Sequence, residues 1–507
     1  MDADPEAAVE GAGLDPFDLW RQRSGFVLAP LAFAAAWRAS SGLAQPAHRL
    51  AAILAAVVVL WLTEAIPMAM TAFLGVAAAV VLGVAPPKEA FAPFADPLVF
   101  VFVGTFMIAQ AIRHHRLDRR FATAILSAPG IGGRPARVLA AYAAGGSFLS
   151  MWISNTATTA MMFPIGLSIL GSLEALGDRR AVPPAFATAL LLSTSFAASV
   201  GGLGTPVGTP PNLIGLGFLR RETGFDLPFF SWMALGVPVV LVLLAWIVLD
   251  LARGASAAQG ATFDLGPLLA AERASLGPWT AGQRNTMAAF AVTVFLWILP
   301  GAAALLLGRD APAAQWLAEV FPESVVALLG AGLLFLLPVD LSRHEFTLSW
   351  DEAVGIDWWI VFLYGGGIAL GTLAFQTGLA EALGVALTSK LGLTSGFGLL
   401  VAATSIATVL SETTSNTASA NMVVPVVIAL ARSAGADPVI PALGATMGAS
   451  LGFVMPVSTP CNAIVYASGR IPLRTMARHG ILLDLAGIVA IVAVLSTIAP
   501  WLIARAG

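Results

Sequence analysis

The chain has 507 residues, of which 58% are hydrophobic and only 11% charged, with a formal net charge of −3. A soluble globular domain carries about 25% charged residues, so the composition excludes an ordinary soluble protein and points to an all-α polytopic membrane protein. Cys461 is the only cysteine, which excludes an intrachain disulfide and cysteine-cluster metal or redox chemistry; no charge pattern suggests nucleic acid.

Residues 1–23 are acidic (Asp2, Asp4, Glu6, Glu10, Asp15, Asp18) until Arg21 and Arg23. They lack the basic start and small-residue cleavage site of a secretory signal, and we expect a cytosolic tail. Apolar runs then recur almost to the end. A span needs about 20 apolar residues and several runs are shorter, so about eleven full spans plus broken or re-entrant segments are expected. Glu64, beside Pro67 in an apolar stretch, reads as a cap or interfacial group as readily as a functional acid. The densest basic cluster runs from Arg113 through Arg116, Arg119 and Arg120 to Arg134 and Arg137, and a second is Arg220-Arg221. The positive-inside rule places both on the cytoplasmic side, with His114 and His115 solvated among the arginines.

Next comes an apolar run, 138–153, too short to cross and return, ending in Ser154-Asn155-Thr156. We read a re-entrant hairpin with this tripeptide at its tip. Such backbone survives at membrane depth only where protein or water covers it. Gly208-Thr209-Pro210-Pro211-Asn212 follows, an elbow where proline interrupts a helix and frees carbonyls. Residues 251–286 read as a polar connection, and 308–322 and 339–353 as further loops. Trp358-Trp359 fits an interfacial belt, and Gly365-Gly366-Gly367 fits close helix packing. Then both phrases return, as Ser415-Asn416-Thr417 and Ser458-Thr459-Pro460-Cys461-Asn462. The tripeptides lie 261 positions apart and the elbows 250.

This is an internal repeat. The chain has six asparagines, and four of them stand in these motifs. Asparagine is costly to bury in an apolar protein, so the pattern implies one composite polar site built from both halves. Transporters carry such repeats, often inverted, with discontinuous helices meeting at mid-membrane. A helix starting at each tip aims free amides and a partial positive charge at the site, which suits an anion. Unwound carbonyls with the oxygens of Ser150, Ser154 and Asn155 suit Na+, and Ser411 repeats the spacing of Ser150 in the second half. No Lys or Arg occurs inside the four motifs. Bound cations must then supply counter-charge, which favours cation-coupled anion uptake. Cys461 lies in an elbow, where packing is its simplest role.

Ala449 to Val465, read as ASLGFVMPVSTPCNAIV, and Trp61-Leu62-Thr63-Glu64-Ala65-Ile66-Pro67 carry a resemblance over nearly the whole chain. The sequence resembles the divalent anion/sodium symporter family. The resemblance implies a homodimer in membrane lipid, in the bacterial plasma membrane with a cytoplasmic N-terminus. Each protomer would have two inverted repeats and a scaffold plus a transport domain moving as an elevator. The expected division is a tail (1–23), scaffold (24–125), transport repeat 1 (126–222), second scaffold part (223–394) and transport repeat 2 (395–507). One sodium site would use Ser150, Ser154, Asn155 and Gly208, and the other Ser411, Thr414, Asn416, Ser458 and Pro460. Substrate carboxylates would meet Asn155, Thr156, Thr209, Asn416, Thr417 and Thr459. Ser411 stands where some relatives have threonine, but a hydroxyl remains.

The expected activity is sodium-coupled symport of four-carbon dicarboxylates such as succinate, fumarate or malate. A sodium-independent exchanger and a sodium-coupled sulfate or citrate carrier are the alternatives. An intramembrane enzyme fits less well: HExxH is absent, and Asp340, Asp357 and Asp484 share no matching context. A channel would show filter repeats.

Overall fold

A computed structural model describes residues 16–39, 42–128, 131, 134–175, 184–255, 266–308, 310–391 and 395–506. Of the expected tail, residues 1–15 lie outside this description, and from Pro16 the chain is helical. The first part holds α1 (Pro16–Arg38), α2 (Gln45–Thr63), α3 (Met68–Val81), α4 (Pro87–Phe91), α5 (Pro97–His114) and α6 (Leu117–Leu126). Then come α7 (Pro135–Ser150) and α8 (Asn155–Ala175), followed by α9 (Pro184–Gly201) and α10 (Pro210–Thr223). The middle holds α11 (Phe229–Ala255), α12 (Gly266–Leu276), α13 (Ala281–Leu307), α14 (Pro312–Val320) and α15 (Glu323–Leu336). A small antiparallel pair, β1 (Pro338–Asp340) and β2 (Glu345–Phe346), precedes α16 (Trp350–Ala353), α17 (Trp358–Gln376) and α18 (Leu379–Leu391). The last part is α19 (Gly396–Thr413), α20 (Asn416–Ser433), α21 (Val439–Gly448), α22 (Pro460–Tyr466), α23 (Leu473–Thr497) and α24 (Ala499–Ala506).

The protein is an all-α polytopic membrane protein. Eight described helices are long and apolar enough to cross a bilayer, or nine if α14 and α15, bent by 58°, make one span. This is fewer than the eleven expected. Apolar runs such as α3 (14 residues) and α21 (10 residues) are too short to cross alone. In α21 apolarity reflects burial in protein rather than exposure to lipid, since all but Ile440 are buried, whereas α3 exposes Met70, Leu74 and Val81; α9, although long enough to span, is buried from Phe186 to Gly201. The expected loops at 308–322 and 339–353 contain α14, the β pair and α16.

Both repeats are visible as helix pairs. α7 and α8 form a hairpin turning at 151–154, and α19 and α20 form one turning at 414–415. α9/α10 and α21/α22 are broken helices, each restarting at the proline after a threonine. Proline at the first helical position costs no hydrogen bond. The halves interlock: α10 packs against α20 and α21, while α22 packs against α8 and α9.

The hairpins enter from opposite faces. The open end of α7/α8 packs against α6 and α12, beside Arg113–Arg120. At the open end of the other, Arg432 of α20 bonds the Glu222 carbonyl and stacks over Phe375, beside Arg220. These ends are far apart. α5 has 18 residues, a length of about 27 Å. Arg113 lies in its last turn, whereas Arg220 (2.8 Å) and Arg221 (3.6 Å) pair with Asp96 at its start. The two basic clusters therefore do not share a membrane face, contrary to the positive-inside expectation. Asp96 recruits Arg220 and Arg221 as partners, so a local ion pair sets their place.

The buried face of α11, Trp232, Leu235, Val239, Leu243 and Ile247, joins one core with α7, α9 and α23. A separate core unites α2, α3, α17 and α18. There the glycine run of α17 is required: a Cβ on Gly365 would lie 2.5 Å from the Phe94 ring, and one on Gly366 2.5 Å from the Ala72 Cβ.

Candidate functional site

Each hairpin tip is built in the same way. Ser154 Oγ accepts from the Ala157 amide at 3.3 Å, and Ser415 Oγ from the Ala418 amide at 3.2 Å. These are N-caps on α8 and α20, so both helices begin at the asparagine and point their N-termini inward. Behind each tip a serine holds that asparagine: Ser150 Oγ lies 2.7 Å from Asn155 Oδ1, and Ser411 Oγ lies 2.8 Å from Asn416 Oδ1. Ser411 Oγ is also 2.7 Å from the Ala449 carbonyl. Thr414 Oγ1 donates to the Leu410 carbonyl at 2.9 Å.

The elbows are matched as closely. Asn212 Nδ2 donates to the carbonyls of Gly202 (2.9 Å) and Thr205 (2.8 Å), and Asn462 Nδ2 to those of Gly452 (3.0 Å) and Met455 (2.9 Å). A broken helix strands such carbonyls, and each asparagine supplies the donor. Both are fully buried. The four motif asparagines thus divide: Asn155 and Asn416 face the cavity, while Asn212 and Asn462 clamp the breaks from behind. Gly202 lets the first elbow approach its hairpin, since a Cβ there would lie 2.5 Å from Asn155 Oδ1.

A cavity of about 860 Å³ joins both tips and both elbows. Asn155, Thr156, Thr209, Asn416, Thr417 and Thr459 all line it, as do Ser154, Gly208, Ser458 and Pro460. Ser150, Ser411 and Thr414 do not reach its wall; they are buried directly behind it. The cavity extends to the end of α5 that carries Arg113, and Arg116, Asp118 and Arg119 of the following turn and helix also line it. Burial pushes the Asp118 carboxyl up to about 6. Glu64 lines the wall too, as the C-cap of α2, paired with Arg21 at 2.8 Å. His115 is not solvated as expected: its ring nitrogen lies 2.7 Å from the Thr347 carbonyl, and burial holds its pKa below the ordinary value.

Glu412 escaped the sequence reading. One carboxylate oxygen accepts from the amides of Phe453 (2.6 Å) and Val454 (3.1 Å), and the other from Ser458 Oγ (2.6 Å). It fixes the second elbow against the second hairpin. At the spacing of the tripeptides its counterpart is Met151, so the repeat comparison passed over it. Its available signal was that of any acid inside an apolar segment.

Comparison with known proteins agrees with this architecture. The family described as "Sodium:sulfate symporter transmembrane region" matches residues 20–504. The chain belongs to this family. The transporter is 32% identical over 446 residues to the sodium-dependent dicarboxylate transporter SdcS of Staphylococcus saprophyticus, covering 87% of this chain and 84% of that one. It is 30% identical, with the same coverage, to SdcS of Staphylococcus aureus strain USA300. Among solved structures, the YdaH transporter of Alcanivorax borkumensis shares the fold at a TM-score of 0.56 and 15% identity, over 82% of this chain and 88% of that one. MtrF of Neisseria gonorrhoeae does so at 0.52 and 13%, over 80% and 82%. The protein is a membrane transporter, not an enzyme.

Proposed function

We propose that the transporter carries small divalent anions, four-carbon dicarboxylates such as succinate, fumarate or malate, in symport with Na+. The observation that carries this reading is the single cavity shared by two N-capped tips and two broken-helix elbows. Its relatives' name, sodium-dependent dicarboxylate transporter, supports the same substrate and ion. The hydroxyls and amides of Asn155, Thr156 and Thr209 would hold one carboxylate, and those of Asn416, Thr417 and Thr459 the other. The N-termini of the two hairpin arms, α8 and α20, contribute roughly half a charge each, short of a dianion, and the motifs contain no basic side chain. Sodium at Ser150, Ser154, Asn155 and Gly208, and at Ser411, Thr414, Asn416, Ser458 and Pro460, would supply the rest. Ion and substrate then stabilise each other's binding, which is the basis of coupling.

For movement, we propose that α7–α11 and α19–α23 travel as one elevator body against a scaffold of α1–α5 and α13–α18, in a homodimer with a cytoplasmic N-terminus. The shared core of α11 with α7, α9 and α23 supports including α11. The test is uptake of labelled succinate into proteoliposomes, with a sodium gradient or with choline replacing sodium, competed by sulfate and by citrate. We expect saturable uptake with sodium only, displaced by unlabelled dicarboxylate better than by sulfate or citrate. Equal uptake in choline would indicate a sodium-independent exchanger, and stronger displacement by sulfate a sulfate carrier; either result rejects the proposal.

A further inference from the structure

The cavity meets solvent at the Arg113 end of α5. Its wall runs to Arg113, Arg116 and Arg119, which are exposed there. At the other end of α5, Asp96, Arg220, Arg221 and Tyr364 take no part in the wall. There α10 packs tightly on α17: a Cβ on Gly217 would strike Tyr364 Oη, and one on Gly371 would strike the Phe218 ring. At this contact Asp96 Oδ1 accepts from Arg220 at 2.8 Å and from Tyr364 Oη at 3.2 Å, and Oδ2 lies 3.6 Å from Arg221. Oδ1 also accepts from the Leu98 amide at 2.9 Å, so the same carboxylate is the N-cap of α5. Asp96 is only 6% exposed.

A carrier opens its site to the two membrane faces in turn. Opening the Arg220 end must part α10 from α17 and draw both arginines off a buried carboxylate. Asp96 would keep the Leu98 amide and the Tyr364 hydroxyl, which are neutral, and lose both positive partners. A buried charge stripped of its counter-charge is costly, so the pairing favours the state seen here. In the elevator described above, α10 belongs to the moving body, and α5 and α17 to the scaffold. We propose that Asp96, Arg220 and Arg221 form a charged latch that closes the cavity at this end and is released in each transport cycle. The latch rests on alternating access, and not on the substrate or the coupling ion.

The test reads Cys461, which lines the cavity, with a small membrane-impermeant thiol reagent. The full chain is labelled in right-side-out and in inside-out vesicles, as parent, Asp96→Asn, Arg220→Gln, Arg220→Lys and the Asp96→Asn/Arg220→Gln double variant. Asparagine caps a helix as well as aspartate does and still accepts from Tyr364, so Asp96→Asn removes little but the charge. The parent should label faster from the face that carries Arg113. The ratio of the two rates should shift toward the other face about three- to tenfold in Asp96→Asn and in Arg220→Gln. It should stay near the parent in Arg220→Lys, and move no further in the double variant than in Asp96→Asn, because the pair is already broken. Equal labelling of the parent from both faces, or effects that add in the double variant, would overturn the latch. So would a ratio unmoved in both single variants, and a lowered melting temperature beside that unmoved ratio would show a purely structural pair. If Asp96→Asn does not fold, Arg220→Gln decides alone. Labelling needs no cargo, so a parent that takes up no succinate rejects the substrate reading and leaves the latch standing.

Discussion

At the residue scale, four asparagines of identical chemistry do two jobs. Asn212 and Asn462 each satisfy two carbonyls left by a helix break. Truncating either strands buried acceptors, at about 1–3 kcal/mol per group. Asn155 and Asn416 face the cavity, and each is held by one serine. We therefore expect Asn212→Ala and Asn462→Ala to unfold at markedly lower temperature in detergent. Asn155→Ala and Asn416→Ala should melt close to the parent but lose sodium-driven uptake. Thermal melts and uptake on the same preparations check this, and wild-type uptake by both cavity variants would remove these residues from the binding site. The difference between the two roles could not be read from spacing, because both kinds stand inside repeated motifs.

At the element scale, helix ends and close approaches decide the architecture. Proline after threonine starts both second half-helices, and serine starts both inner hairpin arms. These signals are local, so hairpin and elbow positions were legible in the chain. Span count was not. A run of apolar residues looks alike whether lipid or protein covers it, and the ten residues of α21 are covered by protein at all but Ile440. Orientation from arginine clusters failed for a related reason: Asp96, distant in sequence, pairs with Arg220 and Arg221. The glycine run of α17 was readable as a packing surface, but its partner was not. The adjacent Ala72 of α3 leaves no room for a larger residue at Gly366. Gly366→Val should therefore overpack the α3–α17 contact and destabilise the protein by about 1–3 kcal/mol, measured as a lowered denaturation temperature with the same purified yield check. An unchanged melt would mean that the helices separate freely.

At the scale of the whole molecule, the opposed hairpins and interlocked broken helices put one chamber between two repeats. The lone cysteine gives a native reporter of it, because Cys461 lines the cavity. A small thiol reagent should label Cys461 slowly, and saturating succinate with sodium should slow labelling further. Labelling that ignores substrate, in protein that takes succinate up saturably, would place the substrate elsewhere. The amino-acid sequence by itself determined the membrane class, the duplication and the tips and elbows, because composition, caps and proline breaks act within a few residues. Only the tertiary structure decided which asparagines face the chamber, that Arg220 lies at the opposite end of α5 from Arg113, what α11 packs against and how Glu412 braces one elbow. Those facts depend on contacts between residues far apart in the chain, where burial and charge pairing override local preference.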